Sequence, residues 1–315
     1  MADVPGMLSV PACAGALALL LAGCLGGGAA ESETATGSRG TLHVAASFYP
    51  LQWVTEQVAG AAADVVSLTP PGAEPHDLEL GPRQVAAVGE ADLVVYLAGF
   101  QPAVDKAVGT TAAGATLDAA DVVDLQPVAD HSEDEGDAHG HGDEDPHFWL
   151  DPLRLADVGD ALAVRLGRLA PADAAAFERN AATLRSELTA LDEEFSTALA
   201  DCDSTDLVTS HNAFGYLAER YGLTQRGITG LTPDEEPSPG ALADVADFVA
   251  AHHVRTIYYE TLTTPAVAET LARETGAQTA VLDPLEGLDD ASAGTDYLEV
   301  MRLNLASLSD GQSCR

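Results

Sequence analysis

Positive charge is scarce in this chain. Against 50 aspartates and glutamates stand only 14 lysines and arginines, a formal net charge of −36, and the single lysine is Lys106. A surface this acidic repels a phosphate backbone, which removes nucleic acid from the partners to consider. The catalytic signatures HExxH and GxSxG and a phosphate-cradling glycine loop are also missing beyond the first residues, and with them the usual hydrolase and nucleotide-binding readings. Cysteines number only four. Charge is absent altogether between Met7 and Leu25, an apolar run that is short for a bilayer span and has no basic stop-transfer flank.

That run ends in Leu21-Ala22-Gly23-Cys24 and resembles a bacterial lipoprotein signal, in which the cysteine is lipidated and becomes the first residue of the mature chain. The resemblance is weaker before it, where Met1 to Met7 carries Asp3 and no lysine or arginine. Residues 1–23 therefore read as a signal peptide and Cys24 as the lipidation site. Residues 24–40 have no apolar periodicity and read as a flexible tether. Cys13 would leave with the signal, so Cys202 and Cys314 remain, and export to an oxidising compartment favours a disulfide between them over two free thiols.

At 315 residues and 46% apolar composition the chain is long enough for two domains and can bury both cores. From Thr41, strand and helix patterns alternate. TLHVAASFYPLQWVTEQVAG passes from a strand into a helix with Leu51, Val54 and Val58 on one face, and DVVSLTPPG, GPRQVAAVGEA and DLVVYLAG continue as strand, helix and strand. The second half repeats the alternation, without a close repeat of sequence. Such order predicts an α/β fold of two lobes, with mostly parallel sheets flanked by helices. The expected boundaries are 41–152 for the N-terminal lobe, which includes a solvated loop at 130–146, and 201–315 for the C-terminal lobe. Between them lies a helical region, 153–200. Within it, Phe177, Leu184, Leu188, Leu191 and Phe195 predict one helix from Pro171 to Ala200, of roughly 45 Å at 1.5 Å per residue, a rigid link between the lobes.

Four residues stand out against this frame: His76 in GAEPHDLELGP, His147 in DPHFWLDP, His211 in TSHNAFGYL and Asp283 in AVLDPLEG. Three of them fall just beyond expected strand ends, where open parallel sheets bind ligands. Three imidazoles and a carboxylate make a complete tetrahedral zinc set. Neighbouring members are 71, 64 and 72 residues apart, so only tertiary structure can assemble them. His43 lies in a strand, and His252 and His253 end a helix whose dipole favours a cation, so all three have ordinary explanations. Glu74 and Glu260 are candidates to orient a ligating imidazole from outside the metal shell.

On GAEPHDLELGPRQV, DPHFWLDP, TSHNAFGYLAERYGL and AVLDPLEG, with a histidine-acid loop before the second and a long helix after it, the chain from about Thr41 to Leu308 resembles the zinc/manganese-binding solute-binding proteins of metal ABC transporters, cluster A-I. The resemblance implies a metal held between two αβ lobes, with His76 and His147 from the first and His211 and Asp283 from the second. It also implies an extracytoplasmic monomer, lipid-anchored to the cell membrane, that delivers Zn²⁺ to an ABC-transporter permease. Manganese-importing relatives carry a carboxylate where His211 stands. The nitrogen-rich set here favours zinc over Mn²⁺. His131, His139 and His141 in the acidic loop are auxiliary metal candidates, although a plain solvated insertion would look the same.

Two other readings compete. A secreted zinc hydrolase would keep one metal position open for water, whereas four protein ligands close the shell. Some proteins of this class are also assigned adhesin roles, which the sequence does not separate from transport.

Overall fold

The strand and helix alternation produces two sheets of identical topology. The computed structural model describes residues 40–112, 114–127, 144–233, 235–262, 264–288 and 292–315. The apolar leader, Cys24, the tether up to residue 39 and the auxiliary candidates His131, His139 and His141 lie outside the described residues. The first sheet comprises β1 (Leu42–Ala46), β2 (Ala63–Ser67), β3 (Leu93–Tyr96) and β4 (Ala115–Asp118), all parallel in the order β2-β1-β3-β4. A two-residue antiparallel pair follows, β5 (Gln126–Pro127) with β6 (Glu144–Asp145). The second sheet holds β7 (Asp206–Thr209), β8 (Thr224–Gly227), β9 (Thr256–Tyr259) and β10 (Gln278–Val281), parallel in the order β10-β9-β7-β8. Read from its other edge this is the first order again. In each sheet the succession reverses beside the first strand, and the carboxyl ends of the strands flanking that reversal open onto a crevice.

The helices are α1 (Tyr49–Ala59), α2 (Pro82–Glu90), α3 (Pro102–Thr111), α4 (Pro152–Leu169), α5 (Ala174–Ala198), α6 (Gly215–Tyr221), α7 (Pro239–His252), α8 (Ala266–Thr275) and α9 (Tyr297–Gly311). Proline at or beside the first turn starts several of them (α1, α2, α3, α4 and α7), where its missing N–H costs nothing. Among the described residues, no helix is long and apolar enough to cross a membrane.

Strand periodicity of two divides the core. Leu42, Val44, Leu93 and Val95 face one apolar cluster, while Ala45 and Val94 face another under α2 and α3. In the second sheet Leu207 and Tyr258 join the same large cluster as the first sheet, and Val208 and Ile257 turn to a separate one under α7 and α8. One continuous apolar core thus runs through both lobes. Trp53 of α1 stacks on Tyr297 of α9 at 4.7 Å between ring centroids inside it. Rotating the lobes apart would expose this shared surface to water, at about 25 cal/mol per Å² of apolar area.

The linking helix is shorter than the sequence pattern suggests. It runs from Ala174 to Ala198, 25 residues, because Pro171, Ala172 and Asp173 form a turn that folds it back against α4. At 1.5 Å per residue it is roughly 37 Å long. It still touches both lobes: Asn180 Nδ2 donates to the Val58 carbonyl of α1 at 3.0 Å, and Arg302 of α9 forms a two-pronged pair with Glu194 at 2.9 and 3.1 Å. Cys202 and Cys314 are joined by a disulfide, fixing the end of the chain beside β7.

Candidate metal centre

Both lobes deliver donors to the crevice, from loops beyond the carboxyl ends of strands β2, β7 and β10 and of β6 in the short antiparallel pair. His76 lies on the connection after β2, and its ring packs edge-on against Phe100 at 4.7 Å. His147 follows β6 and opens the 3-10 turn Phe148–Leu150. His211 is the second residue beyond β7. The loop after β10 brings the carboxylate of Glu286 among them. Glu286 Oε1 lies 2.9 Å from His147 Nε2, 3.1 Å from His76 Nε2 and 3.4 Å from His211 Nε2. One donor atom from each of the four residues falls within 4.8 Å of every other, and all four side chains are buried. A cavity of about 80 Å³, lined in part by Phe100, Leu125, Glu144 and Leu231, reaches His76.

A second layer of acids sets the rings. Asp145 Oδ1 lies 2.7 Å from His147 Nδ1 and accepts the His147 backbone N–H at 3.0 Å. Glu260 Oε1 does the same for His211, 2.7 Å from Nδ1 and accepting its N–H at 3.1 Å. A carboxylate at Nδ1 keeps the ring hydrogen there, so the lone pair of the neutral ring is at Nε2, aimed at the shared centre. Neutral imidazole lone pairs beside a carboxylate oxygen repel unless a positive charge, a proton or a metal ion, sits among them. Asp145 is itself held from the other lobe. The Tyr216 hydroxyl accepts from the Gln126 N–H and donates to the Asp145 carbonyl, both at 2.7 Å. Gly215 is needed for this approach, since a Cβ there would come within 2.8 Å of Asp145 Oδ2. Replacing Asp145 or Glu260 by alanine is expected to weaken zinc retention by about 10–100-fold, read by competition against a chromophoric chelator.

Titration follows from these contacts. Burial alone would push His211 down, but Glu260 and Glu286 outweigh it and raise it to about 10. His147 is likewise depressed by burial and raised above its ordinary value by Asp145 and Glu286. For His76 burial wins over Glu286, and the ring lies below the ordinary histidine value. Burial disfavours the charged form of Glu286, yet the imidazoles around it, His76 first, hold it well below the carboxylate range.

The expected residues therefore divide. His76, His147 and His211 converge, and Asp283 does not join them. Asp283 Oδ2 accepts from Thr261 Oγ1 at 3.0 Å and Oδ1 from the Leu285 N–H at 2.8 Å. Its carboxylate is thus engaged with its own loop, and Glu286, three residues on in the same AVLDPLEG segment, stands in the group instead. Glu260 lies beside His211 Nδ1 at 2.7 Å, and Glu74 accepts the His76 N–H at 3.0 Å. His43 is exposed beside Asp64, and His252 lies 3.0 Å from Asp206, both apart from this group. Asp145 carries a signal in hindsight, an acid two residues before a histidine at a strand end.

A two-lobed αβ frame with a buried three-histidine, one-carboxylate group at the sheets' carboxyl edges has the make-up of a metal-binding site. Residues 44–311 match the family model described as zinc-uptake complex component A, periplasmic, and the chain belongs to that family. It is 34% identical over 314 residues to the high-affinity zinc uptake system protein ZnuA of Bacillus subtilis, covering 97% of this chain and 96% of that protein. It is 37% identical over 284 residues to the zinc-binding lipoprotein AdcA of Streptococcus pneumoniae serotype 4, covering 85% of this chain but only 55% of that longer relative. Among solved structures, the laminin-binding protein Lmb of Streptococcus agalactiae, titled a bifunctional protein with adhesin and metal transporting activity, is 33% identical. It superposes with a TM-score of 0.77 over 86% of this chain and 99% of that one. These relatives are named as binding and uptake proteins, not as enzymes.

Proposed function

We propose that this chain captures one Zn²⁺ outside the cytoplasmic membrane and presents it to the permease of an ABC importer. In this reading it acts as a monomer tethered by lipid at Cys24. The observation that carries the reading is the convergence of three imidazole Nε2 atoms on Glu286 Oε1. Nitrogen donors favour zinc over the harder Mn²⁺, and four protein donors leave no position for a catalytic water. Purified protein loaded by equilibrium dialysis against both ions is expected to retain zinc and release manganese. Retention of manganese in preference would refute the choice of metal.

The ion competes with protons. His211 is raised to about 10, so near neutral pH it carries a proton when no metal is bound, and zinc must displace it; His147, raised above its ordinary value by Asp145 and Glu286, adds to that competition. His76 lies low and Glu286 is ionised, so neither contributes. Zinc binding near pH 7 is expected to release at least about one proton, and apparent affinity to fall by about tenfold per pH unit for each proton displaced as pH drops. Calorimetry in buffers of different ionisation enthalpy measures the count. Flat affinity between pH 7.5 and 5 would contradict the imidazole assignment.

A further inference from the structure

The loop that carries Glu286 has a backbone that its sequence does not favour. Leu285 has φ of +59°, a left-handed conformation that is an outlier for a bulky residue, and its side chain is fully buried. The turn needs outside support to persist, and three elements supply it. Asn304 of α9 brackets Asp283, accepting its N–H at 2.8 Å and donating to its carbonyl at 2.7 Å. Trp149 of the first lobe donates Nε1 to the Pro284 carbonyl at 2.7 Å. The Asp283 carboxylate, tied on one side to Thr261, accepts the N–H of Leu285 itself.

We propose that Asp283 is a positioning residue for Glu286: its carboxylate caps the left-handed turn at Leu285 and so directs the next side chain into the imidazole cluster, without touching the ion. This rests on Glu286 being a zinc ligand. What the role requires of residue 283 is an acceptor oxygen two bonds beyond Cβ, which asparagine also supplies in the same Asx geometry, and not a negative charge. A ligand role would require the reverse.

The test compares D283A, D283N and D283S with the parent and with E286A, reading zinc affinity by chelator competition and coordination by the visible spectrum of the Co²⁺-loaded protein. D283A is expected to bind zinc about 10–100-fold more weakly, the range found when a residue that orients a ligand is lost, with an altered Co²⁺ spectrum. D283N is expected to recover all but a few-fold of the loss together with the parent spectrum, and D283S, a weaker acceptor, to fall between. Should D283A not fold, the ranking of D283N above D283S carries the same comparison. D283N as weak as E286A, or D283A equal to the parent, would overturn the assignment. A parent protein that holds no zinc would overturn the ligand reading beneath it, and is seen before any variant is made.

Discussion

Replacing Glu286 with alanine is expected to weaken zinc binding by a factor of at least about 100. Glu286 is the sole anionic donor among the four that converge, and it is essentially inaccessible to water, at 1% exposure. Without it the ion would keep its full charge among neutral rings in a dry crevice. Removing one partner of a buried charged pair costs about 3–5 kcal/mol, which corresponds to roughly 10² to more than 10³ in affinity. His147→Ala and His211→Ala remove donors of similar burial and are expected to rank close behind. Competition with chelators of graded affinity gives the ranking directly. A Glu286→Ala protein within a few-fold of the parent would remove this residue from the site.

The second large effect is expected at Trp149, the only wholly buried tryptophan, with 0% exposure. Its ring packs against Phe48 and His147, with centroids at 4.8 and 5.2 Å. Its Nε1 holds the Pro284 carbonyl, and its own carbonyl accepts from the Tyr297 hydroxyl at 2.6 Å. One side chain thus joins the segment bearing His147 to the loop bearing Glu286. Trp149→Ala is expected to lower the stability of the metal-free protein by about 3–5 kcal/mol through the cavity alone, seen as a lower denaturant midpoint. Zinc affinity should fall as well, because the Glu286 loop loses its tie to the first lobe. Trp149→Phe fills most of the volume but cannot donate to Pro284, so it should separate the two effects: a smaller stability loss with a persisting affinity loss.

Much of this arrangement is legible in the chain before folding. His76, His147 and His211 stand in polar segments beside apolar runs, and the βα alternation tells that strand ends gather at one edge. The choice between Asp283 and Glu286 is different in kind. Asp283 occupies the strand-end position that a ligand would take, and Glu286, the one that joins the imidazoles, is three residues further along; between them Leu285 has a positive φ, a torsion that local propensity argues against. The later start of the long helix, after the turn at 171–173, is a matter of tertiary packing, since Pro171 is compatible with a helix start but does not say that α4 precedes it antiparallel. The shared topology of the two sheets leaves no trace in residue identity, because a parallel strand needs only an apolar run and tolerates many. Tyr216 and Gly215, which secure Asp145, act through contacts 70 or more residues away in sequence and have no local signature.

The position of the ion decides between Glu286 and Asp283 as the fourth donor. A crystal structure of zinc-loaded protein, with anomalous scattering measured on either side of the zinc absorption edge, is expected to show one strong peak within roughly 2.0–2.2 Å of His76 Nε2, His147 Nε2, His211 Nε2 and a Glu286 oxygen, with Asp283 still bonded to the Leu285 N–H. A peak bound by Asp283 with Glu286 turned away, or no peak among the three imidazoles, would contradict it.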